Sequence, residues 1–240
     1  MKVIGIIPSR YASSRFPGKP LIDLKGKSMV QRVYEACNAC GLFSRLIVAT
    51  DDQRIFDHVQ SFGGEVMMTS SEHRSGTDRC GEVINSLTEA YDVVVNIQGD
   101  EPLVKCEQLK SLVNCFVQPK VEIATLAIKG LSYDEAQNKN RVKVVVNAKG
   151  EALYFSRSPI PYQKNKESQF TKHIGLYAFR SETLNQLVKL PPSDLESTES
   201  LEQLRWMDNG YSIQVAYTVI ETPNIDVPED VSKVLHLIED

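Results

Sequence analysis

The sequence predicts an α/β fold built on a mostly parallel sheet flanked by helices. Short, nearly uninterrupted apolar runs occur at 3–7, 45–50 and 92–97, the pattern of strands buried on both faces. Between them apolar residues recur at helical spacing, so strands and helices alternate across residues 1–130. Loops rich in Gly, Pro and charge follow the strands, on the sheet edge where such folds bind ligands.

Val3–Ile7 is the first strand, stopped by Pro8. Residues 8–20 (PSRYASSRFPGKP) form a cationic loop. From Ser28, the set Met29, Val30, Val33, Tyr34 and Cys37 marks a helix face. Arg45–Thr50 is the second strand. Asp51 and Asp52 suit a helix start, with Ile55, Phe56 and Val59 on its buried side. Gly63-Gly64 ends that helix and Glu65–Met68 forms a third strand. Thr77–Leu87 reads as a helix, and Asp92–Ile97 as a fourth strand running into Gln98-Gly99-Asp100-Glu101-Pro102. Further on, Val142–Asn147 and Ala152–Ser156 flank Ala148-Lys149-Gly150 as a hairpin. His173–Phe179 is a strand, Ser200–Asp208 a helix, Ile213–Tyr217 a strand, and a last helix follows Pro228.

Composition narrows the function classes. The 240 residues are 42% hydrophobic and 24% charged with net charge −4, ordinary for a globular chain. No basic stripe points to nucleic acid or to an anionic membrane, so an anionic ligand needs local cations. The five cysteines are odd in number and scattered, which is no disulfide framework. Cys37-x-x-Cys40 has no second ligand pair at zinc-like spacing and reads as two small residues in a helix. The opening MKVIGIIPSR is too short for a signal segment and no apolar run reaches 18 residues. The expected location is the cytoplasm.

Four segments carry chemistry. The cationic loop holds Arg10, Arg15 and Lys19 with Ser13, Ser14 and Gly18. Arginine forks, a lysine point charge and close backbone approach suit a polyphosphate. Gly26-Lys27-Ser28 resembles the end of a Walker motif, but Leu21 stands where that motif needs Gly. In the second segment, Asp100 sits at a strand end beside this loop, a natural place for a magnesium ligand. The third, Arg74-Ser75-Gly76-Thr77-Asp78-Arg79, opens a helix, where anions or polar edges bind and Ser75 or Thr77 suits an N-cap. In the fourth, Asp226 precedes the helix start at Pro228, as a second metal ligand or a helix-end charge.

Taken in order, RYASSRFPGKPL (10–21), VATDD (48–52), GGEVMMTSSEHRSGTDR (63–79), VVNIQGDEPL (94–103), ALYFSRSPIPY (152–162), KHIGLYAFR (172–180), LEQLRWMDNG (201–210) and IDVPED (225–230) resemble the 3-deoxy-manno-octulosonate cytidylyltransferase family almost end to end. The resemblance implies a single domain of the nucleotide-diphospho-sugar transferase type over 1–240. It adds a small β-rich dimerisation lobe at roughly 130–180. It implies transfer of CMP from CTP to the sugar acid 3-deoxy-D-manno-octulosonate (Kdo) for lipopolysaccharide synthesis, with Mg²⁺ and as a homodimer. CTP is then expected at Pro8, Arg10, Ser13, Arg15, Lys19, Ser75 and Arg79, and Mg²⁺ at Asp100 and Asp226. Arg15, Lys19, Asp100 and Asp226 are the implied catalytic set. Kdo is expected at Gln98, Arg157, His173, Tyr177, Glu202 and Gln203. Arg157 would meet the sugar carboxylate, and His173, Glu202 and Gln203 its hydroxyls.

The chain departs from the family pattern in three places. Ser9 replaces a frequent Ala. The stretch Gln163–Thr171 is short. Val227 stands where Thr would cap the last helix, so Asp226 is expected to take over part of that capping. Competing readings keep the scaffold and change its use: the 8-amino analogue of Kdo, another sugar acid or a polyol phosphate as substrate, or a non-catalytic nucleotide-sugar sensor.

Overall fold

The computed structural model describes residues 1–13, 15–164 and 169–238. Ser14 of the cationic loop and part of the Gln163–Thr171 stretch lie outside them. The chain forms two compact units, Met1–Leu109 with Thr222–Asp240, and Lys110–Glu221.

In the first unit, β1 (Val3–Ser9) is buried along nearly its whole length. A small hairpin, β2 (Asp23–Leu24) and β3 (Lys27–Ser28), leads to α1 (Met29–Ala39), capped by the Ser28 hydroxyl. Next come β4 (Arg45–Thr50), α2 (Gln53–Ser61) capped by Asp52, and β5 (Val66–Met68). Then follow α3 (Gly76–Ser86), β6 (Val93–Asn96) and the start of α4 (Cys106–Asn114), which continues into the second unit from Lys110. The strands pair in the order β6-β1-β4-β5, all parallel. Each crossover runs through a helix, as parallel pairing requires. The buried face of α1 is Met29, Val30, Val33 and Cys37, and burial pushes the Cys37 thiol well above its ordinary range.

The second unit is a mixed sheet. Its spine is β7 (Ile123–Leu131), an element the periodicity does not single out. A short α5 (Tyr133–Ala136) precedes the expected hairpin of β8 (Lys143–Val146) and β9 (Ala152–Ser156). Strand β10 (Phe170–Arg180) is followed by α6 (Ser181–Leu187), α7 (Asp194–Glu199), α8 (Gln203–Asp208) and β11 (Ile213–Tyr217). β7 pairs antiparallel with β10 and parallel with β11, and β10 continues to β8. The β-rich stretch expected at roughly 130–180 falls inside this unit.

One expectation is corrected here. The helix read from Ser200 begins only at Gln203, because Ser200 takes a left-handed conformation (φ +52°) that closes α7. A non-glycine rarely adopts it, so the sequence did not mark the break. Arg205 then holds α8 to α7 through two hydrogen bonds to the Glu196 carboxylate, at 2.8 and 2.6 Å.

The chain returns to the first unit through a segment ending in α9 (Pro228–Leu235). Its buried Ile225, Val234 and Ile238 pack with Leu24 and Met29.

Candidate active site

Three motifs of the first unit converge on the C-terminal end of β1. A Cβ added to Gly99 would lie 2.8 Å from the Pro8 carbonyl oxygen, and one added to Gly76 would lie 3.3 Å from the Pro8 ring. The Gln98–Pro102 turn and the start of α3 therefore press against the residue that opens the cationic loop. The strand order puts them there: β6 is the direct neighbour of β1, and its chain continues into that turn.

The loop folds back on itself. Tyr11 O accepts from the Ser13 and Gly18 amides, each at 2.9 Å, and the Ser13 hydroxyl accepts from Phe16 N at 3.4 Å. Gly18 takes φ +73°, and a side chain there would meet the Tyr11 ring at 3.0 Å, so glycine is needed on both counts. Arg54, anchored to Asp52, lies over the Tyr11 ring at 3.4 Å. Arg10 and Arg15 are exposed.

Lys19 points inward from the end of this loop. Its Nζ donates to Asp100 Oδ2 and to the Ile225 carbonyl, each at 2.8 Å, and lies 3.8 Å from Asp226 Oδ1. Arg15 donates to the same Asp226 oxygen at 3.0 Å. The two loop cations and the two acidic residues thus form one alternating cluster. The Asp100 carbonyl accepts from Ile225 N at 3.0 Å and so brings the two acidic segments together.

Asp226 does not cap α9, contrary to the expectation from Val227. Asp230, one turn inside the helix, accepts from the amides of Asp226 and Val227 at 3.1 and 3.3 Å. The Asp226 carboxylate faces Arg15, Lys19 and Asn224 instead. Among the described residues no three His, Cys, Asp or Glu side chains group as a closed metal cage. An open pair of hard carboxylate oxygens is the donor set that suits magnesium shared with phosphates, since that ion keeps much of its shell as water or substrate oxygen.

Ser75 caps α3 in a reciprocal box with Asp78, which favours it over Thr77. Arg79 is turned inward and buried. It donates to Asp51 at 2.9 Å, to the Ser70 carbonyl at 3.2 Å and to the Thr69 hydroxyl, tying the ends of β4 and β5 to α3. Gln98 is half-buried at the start of the acidic turn, with its carbonyl accepting from Glu101 N at 3.3 Å.

The second unit gathers the other expected residues. Between Ile174 and Tyr177, β10 slips register against β7, leaving Gly175 and Leu176 as a bulge, a device that re-aims side chains. The Thr125 hydroxyl fills it, lying 2.9 Å from Leu176 O, 3.1 Å from Ile174 O and 3.0 Å from His173 Nε2. The hydroxyl thus joins the bulge carbonyls to the imidazole. Burial, helped by the charge of Lys172, lowers the His173 pKa to about 3, so the ring is neutral at physiological pH. It lies between Phe155 and Tyr177, with ring centroids 4.9 and 5.4 Å away.

Tyr177 is buried, and burial followed by the Glu202 charge raises its pKa well above the ordinary value. Its hydroxyl meets no partner within hydrogen-bonding geometry, and the nearby Thr125 hydroxyl offsets only a small part of the upward shift. Gln203 is buried with its Nε2 unpartnered. The Arg157 guanidinium donates to the carbonyls of Glu199 (2.7 Å), Lys139 (3.1 Å) and Ser200 (3.1 Å), while its backbone amide donates to the Glu199 carboxylate at 2.9 Å. The three carbonyl bonds fix the orientation of the guanidinium.

Two residues that sequence reading did not select belong with this group. Lys143 is fully buried and donates to the carbonyls of Arg157 (2.6 Å) and Asn138 (3.2 Å). Desolvation lowers its pKa. The only available signal was a lysine opening the apolar run Val144–Val146. Trp206 is also buried, with an unpartnered indole nitrogen. The sequence offers no hint, since a tryptophan three residues after Gln203 reads as core.

Comparison with known proteins identifies the family. The cytidylyltransferase family model matches residues 4–214. A 3-deoxy-manno-octulosonate cytidylyltransferase of Parabacteroides distasonis is 52% identical, covering 98% of this chain and 97% of the relative. The namesake of Bacteroides thetaiotaomicron is 51% identical over 96% and 95%. The solved structure of CMP:2-keto-3-deoxy-manno-octonic acid synthetase complexed with CTP is 43% identical. It covers 99% of this chain and 98% of that one, with a TM-score of 0.94. At 16% identity, a 4-diphosphocytidyl-2C-methyl-D-erythritol synthase of Anaerococcus prevotii shares the fold, with a TM-score of 0.63. Fold and family together define a nucleotidyltransferase of the cytidylyltransferase class. Within that class, the chain belongs to the 3-deoxy-manno-octulosonate cytidylyltransferase family.

Proposed function

We propose that the chain joins CMP, taken from CTP, to Kdo and releases pyrophosphate. The observation that carries the chemistry is the cluster in which Lys19 and Arg15 serve Asp100 and Asp226. Triphosphate oxygens compete for the two cations, and the carboxylates are then free to hold Mg²⁺. That ion would polarise the α-phosphate.

The rest falls to the chain's own side chains. Arg157 holds the sugar carboxylate, and the neutral His173 with Gln203 and Tyr177 orients its hydroxyls. The hydroxyl on the anomeric carbon attacks the α-phosphorus in line, without a covalent enzyme intermediate. Lys19 and Arg15 offset the charge that grows on the departing pyrophosphate. Catalysis is thus mostly positioning and charge stabilisation. Pro8, Arg10, Ser13 and Ser75 take part in CTP binding, Arg79 holds the strand ends beside them, and Gln98 serves the sugar. The product serves lipopolysaccharide synthesis, and the free thiols suit a reducing compartment such as the cytoplasm. The working form is a homodimer, the commonest closed assembly, and the exposed apolar side chains Leu153, Tyr162 and Val219 offer surface for it.

The deciding experiment follows pyrophosphate release from CTP and Mg²⁺ with Kdo, 8-amino-Kdo or sialic acid. Release fastest with Kdo supports this function. Preference for another sugar corrects the acceptor. No release from folded, CTP-binding protein overturns the catalytic reading.

A further inference from the structure

Among the described residues, three donors of the second unit are buried without a hydrogen-bond partner: Tyr177 Oη, Gln203 Nε2 and Trp206 Nε1. Such groups cost roughly 1–3 kcal/mol each when left unmade, so three in one neighbourhood need an explanation. They are neighbours by construction. Gln203 and Trp206 are three residues apart on α8 and share a helix face. The Trp206 ring meets Tyr177 edge-on, with centroids 5.1 Å apart and planes at 88°. Phe179 supports it from a second side at 5.3 Å. Trp206 is only 1% exposed, so its indole N–H cannot turn to bulk water.

We propose that Trp206 is a further sugar-binding residue, whose indole N–H donates to an oxygen of the bound sugar acid. The inference rests on the sugar reading of Tyr177 and Gln203 given above. An indole nitrogen is a donor only. Whatever ligand atom meets it is therefore an acceptor: a hydroxyl, a ring oxygen or a carboxylate oxygen. An ammonium at that position would leave both donors unmet and be rejected. The edge-on packing against Tyr177 and Phe179 holds the ring in one orientation, so the donor is set before the ligand arrives.

Trp206 is the one tryptophan of the chain, so its emission reports this position alone. Kdo titrated into the wild-type protein should change that emission saturably, at concentrations near the Kdo KM, whereas CTP alone should not. Trp206→Phe keeps the ring packing and deletes the N–H. It should raise the Kdo KM about tenfold, as expected for one lost hydrogen bond in a desolvated site, with the CTP KM within twofold of wild type. Emission blind to Kdo, or a Trp206→Phe Kdo KM within twofold of wild type, overturns the proposal. Wild-type pyrophosphate release with Kdo is measured first. Its absence removes the sugar reading, and its presence leaves the titration and the variant to judge Trp206 alone.

Discussion

Lys19 Nζ lies 2.8 Å from the Asp100 carboxylate and 3.8 Å from that of Asp226, so one ammonium serves both acidic residues proposed to hold Mg²⁺. The side chain is only 14% exposed, which limits screening of these contacts. On the proposed reading, Lys19 competes with a divalent cation for the same oxygens until triphosphate draws it away.

Replacing Lys19 by Met should separate metal binding from turnover. Without CTP, the variant should bind Mn²⁺ about tenfold more tightly than wild type, read by electron paramagnetic resonance titration. Its pyrophosphate release should fall at least ~100-fold, the order expected for loss of one charge-stabilising donor. Unchanged Mn²⁺ affinity would show that the ammonium does not occupy the metal's place.

Asp100→Asn and Asp226→Asn keep side-chain shape and remove the charge. Each should lower kcat by roughly 10²–10³-fold while circular dichroism and Tm stay near wild type. A folded Asp100→Asn protein with near-normal turnover would falsify the metal assignment.

Gly99→Ala adds a Cβ 2.8 Å from the Pro8 carbonyl oxygen, closer than van der Waals contact, so the acidic turn has to move. A displacement of this kind near a reacting centre can cost about 10²-fold. Steady-state kinetics should show kcat falling far more than the urea midpoint. Equal losses would mean the turn is merely structural.

The His173 pKa of about 3 lies below the ordinary value of 6.5. Between those limits the unfolded chain binds a proton that the folded chain refuses, so stability falls as pH drops. The loss begins near pH 6.5 and grows by at most about 1.4 kcal/mol per pH unit. Urea unfolding of His173→Gln should show a shallower decline than wild type between pH 6.5 and 4. Parallel curves would remove His173 as the cause.

Lys143→Met leaves the Arg157 and Asn138 carbonyls without their donor. Relief of a desolvated charge opposes that loss, so the stability change should stay within about 3 kcal/mol. The functional effect should be a Kdo KM raised several-fold through a displaced Arg157, with an unaltered CTP KM. An unchanged Kdo KM would confine Lys143 to folding.

The first unit was legible in the sequence because its strands are buried on both faces and its helices carry caps. Ser28, Asp52 and Ser75 begin their helices as their residue types suggest. The second unit was less so. The nine-residue β7 goes unmarked by periodicity although its first five residues are all buried, because a continuous apolar run has no period that tells strand from buried helix. Ser200 ends α7 in a conformation its residue type does not announce. Arg79 and Arg157 could be chosen from the resemblance, but not their engagement with Asp51 or with three carbonyls.

By itself the sequence determined the α/β class, the cationic loop after the first strand, the acidic turn after the fourth and the family. Each is encoded in residues adjacent along the chain. Only the tertiary structure decided that Lys19 bridges Asp100 and Asp226, that Asp230 rather than Asp226 caps the last helix, and that Trp206 keeps an unpaired indole beside Tyr177 and Gln203. Those facts depend on contacts between residues up to about two hundred positions apart. Such contacts are set by packing and by competition for hydrogen-bond partners, which local pattern does not record.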